Sequence, residues 1–281
     1  ELREFVRSRN PEAILVGEAD VTAQDLVHYL GENKLHMAFN FLFNSYLILA
    51  LAREMADPLR RGLRELPVTP DSVQWLNFLR NLDELNISHL SDTDRNFVYE
   101  KFGPEKTMQI YDRGLRRRLA PMLNHNLDRQ KMAFSLLFSL PGAPLIVYGD
   151  EIGMGEDLDL KEREAVRTPM PWDNSPGGGF SNAPENLWMR PMIKQSHYLS
   201  EGINVTQQEQ NSNSLLNFIK MMCRTRLAYP ALSLGQHEWI STDNDKVVAH
   251  ICHWQNDIIM AVHNNIILPM TDMSYDLVVV R

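Results

Sequence analysis

Acidic and amide side chains gather where short apolar runs of this chain end. Residues 74–85 read QWLNFLRNLDEL, in which Trp75, Leu76, Phe78 and Leu79 are followed at once by Arg80, Asn81, Asp83 and Glu84. Ile14–Gly17 (ILVG) ends in Glu18, Ala19 and Asp20, and Leu145–Tyr148 (LIVY) runs into Gly149, Asp150 and Glu151. Apolar runs of this length, bounded by polar groups, predict strands buried on both faces. In parallel α/β architectures the carboxyl ends of such strands project into a cleft held by a rigid core, which is where chemistry is placed. A strand passing into a solvated turn leaves the same trace, and a single run taken alone favours that plainer explanation.

A second group of chemically capable residues is His250, Cys252, His253 and His263. Strand alternation puts Cys252 and His253 on opposite faces. The spacing matches no familiar zinc finger or ribbon, so no metal ligand is assigned. Arg113–Arg118 (RGLRRR) is expected to be the solvated face of a helix rather than a polyanion site.

The elements that must position these residues follow in order. Helical spacing covers Leu2–Arg9 and stops at Asn10-Pro11. Thr22 is a candidate N-cap for a short helix through Leu30, closed by Gly31. Met37–Phe41 is a strand candidate, and a helical pattern interrupted by Pro58 runs from Ser45 to Leu66. After Gln74–Leu79 come a polar loop, a helix from about Asp92, an apolar helix over Asp128–Leu140 and the strand Leu145–Tyr148. The strand–helix alternation, four units long, predicts a parallel sheet with right-handed crossovers. Four such units fit an open doubly wound sheet or half of an eight-stranded barrel. No GxGxxG and no GxxxxGK[ST] follows any of the strands. Gly153–Gly179 is too long for an idle connection and is expected to be an active-site loop. Leu215–Ala228 is a helix, and short alternating runs around Val247–Cys252, Ile258–Val262 and Leu277–Val280 predict a small antiparallel β domain.

Composition narrows the class. The chain has 281 residues, 44% of them hydrophobic, and acidic residues outnumber basic ones 36 to 28 for a net charge of -8. That length is enough for a barrel core. The charge argues against a nucleic-acid surface and fits a neutral small ligand. Two cysteines form no disulfide framework. No signal peptide and no membrane-spanning apolar run is present, so a cytoplasmic, membrane-free protein is expected. The chain opens at Glu1 inside a predicted helix, without an initiator Met, and is expected to be a piece of a longer protein.

Several stretches resemble one family. FLRNLDEL (Phe78–Leu85) resembles the seventh-strand motif of the alpha-amylase superfamily of glycoside hydrolases, and ILVGEAD (Ile14–Asp20) its fifth-strand motif. Leu137–Glu156 and Val166–Ser181 (VRTPMPWDNSPGGGFS) resemble the eighth strand and following loop of the trehalose synthase and oligo-1,6-glucosidase branch. Ile203–Met222 is similar to the segment by which that branch leaves the barrel. The resemblance implies the C-terminal half, strands five to eight, of a (β/α)8 TIM barrel over residues 1–232, followed by part of a small antiparallel β domain over residues 233–281. It also implies that an N-terminal half-barrel is required to complete the fold. That half would carry the nucleophilic aspartate, since no GFRxD-like stretch occurs here.

Cleaving a glycosidic bond with retention requires one carboxylate to trap the anomeric carbon and a carboxylic acid on the other face to protonate the departing oxygen. The resemblance places Glu18 as that acid/base and Asp83 as the third carboxylate, which binds sugar hydroxyls and helps distort the ring. It makes Asp20, Phe41, Asn81, Leu82, Glu84 and Arg167 candidates for substrate contact, with Phe39 a second aromatic beside Phe41. Core packing for one of the two rings, and a loop-bracing ion pair for Arg167, are the competing explanations.

Two departures from the family pattern matter. Leu82 stands where the family has a histidine that donates to the sugar, and Asp20 stands where the trehalose synthase branch often has asparagine. Losing such a donor in a dry pocket costs about 1–3 kcal/mol. The expected activity is retaining α-glucoside chemistry on a small α-linked gluco-disaccharide, foremost isomerisation of maltose to trehalose. Hydrolysis of short α-glucosides, or a degenerate barrel serving as a binding scaffold, are the alternatives. The transfer needs no cofactor; Asp150-Glu151 looks like a calcium pair, but the resemblance gives it the role of bracing the barrel mouth, with a structural calcium in the full-length protein left open.

Overall fold

The structure, a computed structural model, describes residues 2–70, 72–193, 203–264 and 275–280. In chain order the strands are β1 (Val16–Gly17), β2 (Met37–Phe39), β3 (Gln74–Phe78), β4 (Leu85–Asn86), β5 (Gln109–Ile110), β6 (Gly114–Leu115), β7 (Ala143–Leu145), β8 (Gln236–Ile240), β9 (Val247–Trp254), β10 (Asp257–Asn264) and β11 (Tyr275–Val280). The helices preceding β8 that matter here are α1 (Leu2–Arg9), α2 (Ala23–Leu26), α3 (Phe41–Arg53), α4 (Asp57–Glu65), α5 (Asp92–Phe102), α6 (Leu119–Met122) and α7 (Leu127–Ser139).

β1, β2, β3 and β7 form one parallel sheet in that order. β1 and β7 are its edges. β1 was expected to be buried, yet Ile14 is 62% and Val16 43% exposed, because an edge strand is covered by one neighbour only. β7 spans Ala143–Leu145 rather than the expected Leu145–Tyr148 and contains Pro144. A missing N–H is tolerated at a sheet edge. The run at β3 is buried only toward its carboxyl end, at Asn77 and Phe78. At the entry to β7, Gly142 has φ +99, and a Cβ there would meet the Trp75 carbonyl oxygen at 2.4 Å.

The core lies against this sheet. α3 is buried from Phe41 through Ala52 and packs with α7 and the helix Leu215–Ala228. The expected strand Met37–Phe41 stops at Phe39 because the Asn40 side chain accepts from the Phe43 N–H and starts α3. The helical pattern over 45–66 is two helices, broken at Glu54 in the left-handed region (φ 56), ahead of Pro58 in the first turn of α4. Thr22 does cap α2, but the helix ends at Leu26, four residues short of the expected Leu30.

Between β3 and β7 the chain inserts α5 and a small antiparallel sheet of order β4-β6-β5. This overturns the expectation for Arg113–Arg118. The segment is strand β6 followed by coil, and Arg116 and Arg118 are buried, with guanidinium groups held by carbonyls and carboxylates. After the helix Leu215–Ala228, strands β8 to β11 form an antiparallel sheet in sequential order. Cys252 is buried and His253 exposed, as alternation required.

Candidate active site

The site lies where the parallel strands end. Because β1, β2 and β3 run in one direction, the segments after Gly17, Phe39 and Phe78 leave from the same rim of the sheet. α3 fixes the central part of that rim. Asn40 Nδ2 donates to Asn77 Oδ1 at 2.9 Å, Asn44 Nδ2 to the Phe78 carbonyl at 2.7 Å, and Ser45 Oγ to the Asn86 carbonyl at 3.0 Å.

Side chains also join the segment after β1 to the segment after β3. Asp20 Oδ2 accepts from Asn86 Nδ2 at 2.6 Å, and Asp20 Oδ1 lies 2.7 Å from His89 Nε2. Burial alone would raise the Asp20 pKa, and the hydrogen bonds from His89 and Asn86 outweigh it, leaving the carboxyl below its ordinary value. Asp20 is therefore spent on tying the rim together. Glu18, two residues earlier, is exposed, and among the described residues it has no hydrogen-bond or ion-pair partner.

The segment after β3 is held by arginines. Asp83 Oδ1 accepts from Arg167 Nη2 at 2.6 Å and lies 3.0 Å from Arg163 Nη1. Arg167 Nε donates to the Leu82 carbonyl at 2.9 Å. Asn81 is nearly buried, and its Oδ1 accepts from Arg80 Nη1 at 3.0 Å and from the Asp83 N–H at 3.2 Å. Glu84 departs from the substrate contact expected of it. It is buried, with Oε1 taken by Arg113 and Oε2 by Arg163. Burial pushes its pKa up, but backbone hydrogen bonding and those two arginines prevail and hold it below the ordinary value.

Beneath the rim is a buried ionic layer. Arg80 is fully buried, donates through Nε to the Arg117 carbonyl at 2.6 Å, and is lowered to about 10 by burial. Arg118, also fully buried, donates to the Tyr148 carbonyl at 2.8 Å, Asp150 Oδ1 at 2.9 Å and the Val166 carbonyl at 2.8 Å. Glu156 accepts from the Arg118 N–H at 2.8 Å and pairs with Arg117. Burial raises the pKa of Asp150 and of Glu156.

Alongside Arg167 opens a cavity of about 610 Å³, lined by Tyr148, Glu151, Trp172, Phe180 and Trp188 among others. Aromatic rings with a few polar groups suit a sugar, whose C–H face stacks while its hydroxyls bond. The loop expected to be functional, Gly153–Gly179, supplies part of this wall, Trp172 among it, while Tyr148, Glu151, Phe180 and Trp188 lie outside it. Phe41, by contrast, begins α3 and packs between Phe39 and Phe78, at ring-centroid distances of 5.8 and 5.4 Å. Its ring serves the core, and Phe39 remains half-exposed. Neither Glu18 nor Asp83 lines this cavity.

Sequence reasoning missed Arg163, Asn86 and His89. Arg163 lies in the 3-10 helix Glu162–Val166, whose C-cap is Arg167, and no local pattern set it apart from the neighbouring charges. Nothing in the local pattern singled out Asn86 or His89.

The Alpha-amylase family model ("Alpha amylase, catalytic domain") matches residues 1–235. The chain is 34% identical over 255 residues to the trehalose synthase/amylase TreS of Mycobacterium tuberculosis, a match covering 89% of this chain and 42% of that protein. It is 33% identical over 277 residues to the trehalose synthase of Pimelobacter sp. (strain R48), covering 94% and 48%. The chain thus spans less than half the length of these curated relatives. Among solved structures, an alpha-amylase from H. orenii superposes with a TM-score of 0.67 at 21% identity, covering 94% of this chain and 45% of that one, which establishes the shared fold. With the matched region running from the first residue through the parallel sheet and its rim, the chain belongs to the alpha-amylase catalytic-domain family.

Proposed function

We propose that the chain supplies strands five to eight of a (β/α)8 barrel whose complete protein isomerises maltose to trehalose by intramolecular glucosyl transfer. Residues 1–232 would form the half-barrel and 233–281 part of a C-terminal β domain. Glu18 is the acid/base, Asp83 binds sugar hydroxyls and favours the oxocarbenium-like transition state, and the nucleophilic aspartate comes from the companion half-barrel. The observation that carries this reading is the Asp20 bridge to Asn86 and His89, which ties the segment bearing Glu18 to the segment bearing Asp83. The similarity to proteins named trehalose synthases favours transfer over hydrolysis.

Chemically, a glucosyl unit held on the nucleophile must keep the released glucose nearby. The aromatic cavity beside Arg167 offers that glucose a place to turn over before the second bond forms. Water entering instead gives glucose as a side product. No metal or redox group takes part in the proposed steps. A rim histidine is replaced by Leu82, so binding at that subsite rests on Asp83 and on the arginines around it.

The complete protein incubated with maltose should form trehalose, with some glucose. Glu18→Gln and Asp83→Asn should each abolish both products while leaving the fold intact by circular dichroism. Formation of neither product by the unaltered complete protein would remove this reading. Turnover of maltose by residues 1–281 alone would overturn the placement of the nucleophile on another segment.

A further inference from the structure

We propose that His237, His250 and Cys252 form a binding site for a thiophilic divalent cation of the zinc type, placed where the antiparallel sheet meets the end of α7. Register brings the three together. His237 on β8 pairs across from Cys252 on β9, and His250 sits two residues before Cys252 on the same face. One potential ligand atom from each lies within 4.8 Å of the others. Cys252 Sγ is 3.4 Å from His237 Nδ1, already about the edge of a tetrahedron built on zinc–ligand bonds of about 2.1–2.3 Å. The remaining edges, no longer than 4.8 Å, need close by at most about 1.4 Å to meet that geometry.

Hydrogen bonding selects the required tautomer. His250 Nε2 is 3.0 Å from the Ser139 carbonyl, which only accepts, so the ring proton sits on Nε2 and Nδ1 keeps its lone pair. An imidazole anchored through its other nitrogen by a backbone carbonyl is how metal-bound histidines are oriented. His250 Nδ1 is buried without a hydrogen-bond partner, while His237 offers the cluster its Nδ1, the nitrogen beside Cys252 Sγ. A buried polar atom left unpaired is uncommon in interiors and calls for an occupant. His237 is partly exposed, which leaves a route for the cation.

The neighbours fit. His263 Nε2 is 2.9 Å from Ser139 Oγ, whose proton goes to the Leu136 carbonyl, so His263 braces the same serine without joining the ligand set. Arg226 is the nearby cation, and its guanidinium is spent on the carbonyls of Phe138, Leu140 and Gly142. On binding, Cys252 releases its S–H proton to solvent, and the thiolate and two neutral imidazole nitrogens displace five of the six waters of the hydrated ion as it becomes four-coordinate. No oxidant or reductant is involved. A solvent molecule fills the fourth position, and the site staples β8 to β9 rather than catalysing a reaction.

The test uses Co²⁺ as a probe on the purified, metal-free complete protein. Expected are one Co²⁺ per chain, a near-ultraviolet sulfur-to-cobalt charge-transfer band with tetrahedral visible bands, and displacement of both by Zn²⁺. C252S should remove the charge-transfer band, and H237Q should weaken binding at least about a hundredfold. H253Q, on the exposed opposite face, should leave binding unchanged. H237Q alters a partly exposed side chain and decides the matter even if C252S does not fold. No charge-transfer band in the unaltered chain, unchanged affinity in H237Q, or equal loss in H253Q would overturn the proposal.

Discussion

Arg167 grips Asp83 through Nη2 at 2.6 Å while its Nε holds the carbonyl of Leu82 at 2.9 Å. One side chain from the loop after β7 therefore fixes both the proposed transition-state carboxylate and the backbone of the residue that replaces the family histidine. Arg167 and Asp83 are each about one-third exposed, so the pair contributes at most about 1 kcal/mol to stability. Its consequence should be positional. Arg167→Ala is expected to shift the melting temperature little but to lower trehalose formation by the complete protein at least about tenfold. Calorimetry and a product assay on the same preparation separate the two effects.

Leu82 is the clearest departure from the family pattern, and it stands half-buried between Asn81 and Asp83. On the proposed function, Leu82→His restores a donor at the sugar subsite, and a bond that strengthens in the transition state would raise the rate. A recovered bond is worth about 1–3 kcal/mol, or roughly ten- to hundredfold in rate. The complete variant protein should turn over maltose faster than the parent, as read by initial rates of trehalose and glucose release.

The sequence disclosed the helices best, because Leu127–Ser139 and Leu215–Ala228 carry long apolar patterns that tertiary packing only trims. The strands at the rim are two to five residues long and were placed with errors of a few positions. Phe41 shows the physical reason. An apolar residue after MAF continues a strand pattern, but Asn40 captures the Phe43 N–H and turns the chain into α3. Arg113–Arg118 failed for another reason. Six residues with four arginines suggest a solvated face, and only the fold shows the buried carbonyls and carboxylates that accept their protons. His237 was unreadable as a partner of Cys252 because β8 carries no run of alternation strong enough to predict its pairing.

Glu84 supplies a pH test. Its folded pKa lies below the ordinary 4.5, so the folded state binds the proton less readily than the unfolded chain. Its contribution is present in full above that ordinary value and is lost as pH falls through the folded pKa. Glu84→Gln leaves Arg113 and Arg163 without a charge partner. Arg113 is half-exposed and Arg163 one-third exposed, which limits the cost to about 1–3 kcal/mol at neutral pH. Urea unfolding at neutral pH should show that loss, and the gap between variant and parent should narrow on acidification below the ordinary glutamate range.

Arg118 gives the sharpest test of the ionic layer under the rim. Its side chain is fully buried, and Asp150, its partner, is 3% exposed. Removing one member of such a pair strands the other charge in a dry interior, at a cost of about 3–5 kcal/mol. Arg118→Met should therefore lower urea stability by that amount, whereas Arg95→Met, whose partner Asp92 is 88% exposed, should change it by under about 1 kcal/mol. The stranded carboxylate also fixes the sign of the second measurement. Burial already raises the Asp150 pKa above its ordinary value, and loss of the guanidinium raises it further. A carboxyl whose folded pKa is raised stabilises the fold below its unfolded pKa and loses that contribution as pH climbs through the folded value. The Arg118→Met deficit should accordingly shrink in acid. Adding Asp150→Asn should recover part of it at neutral pH, a coupling that a double-mutant cycle reads directly.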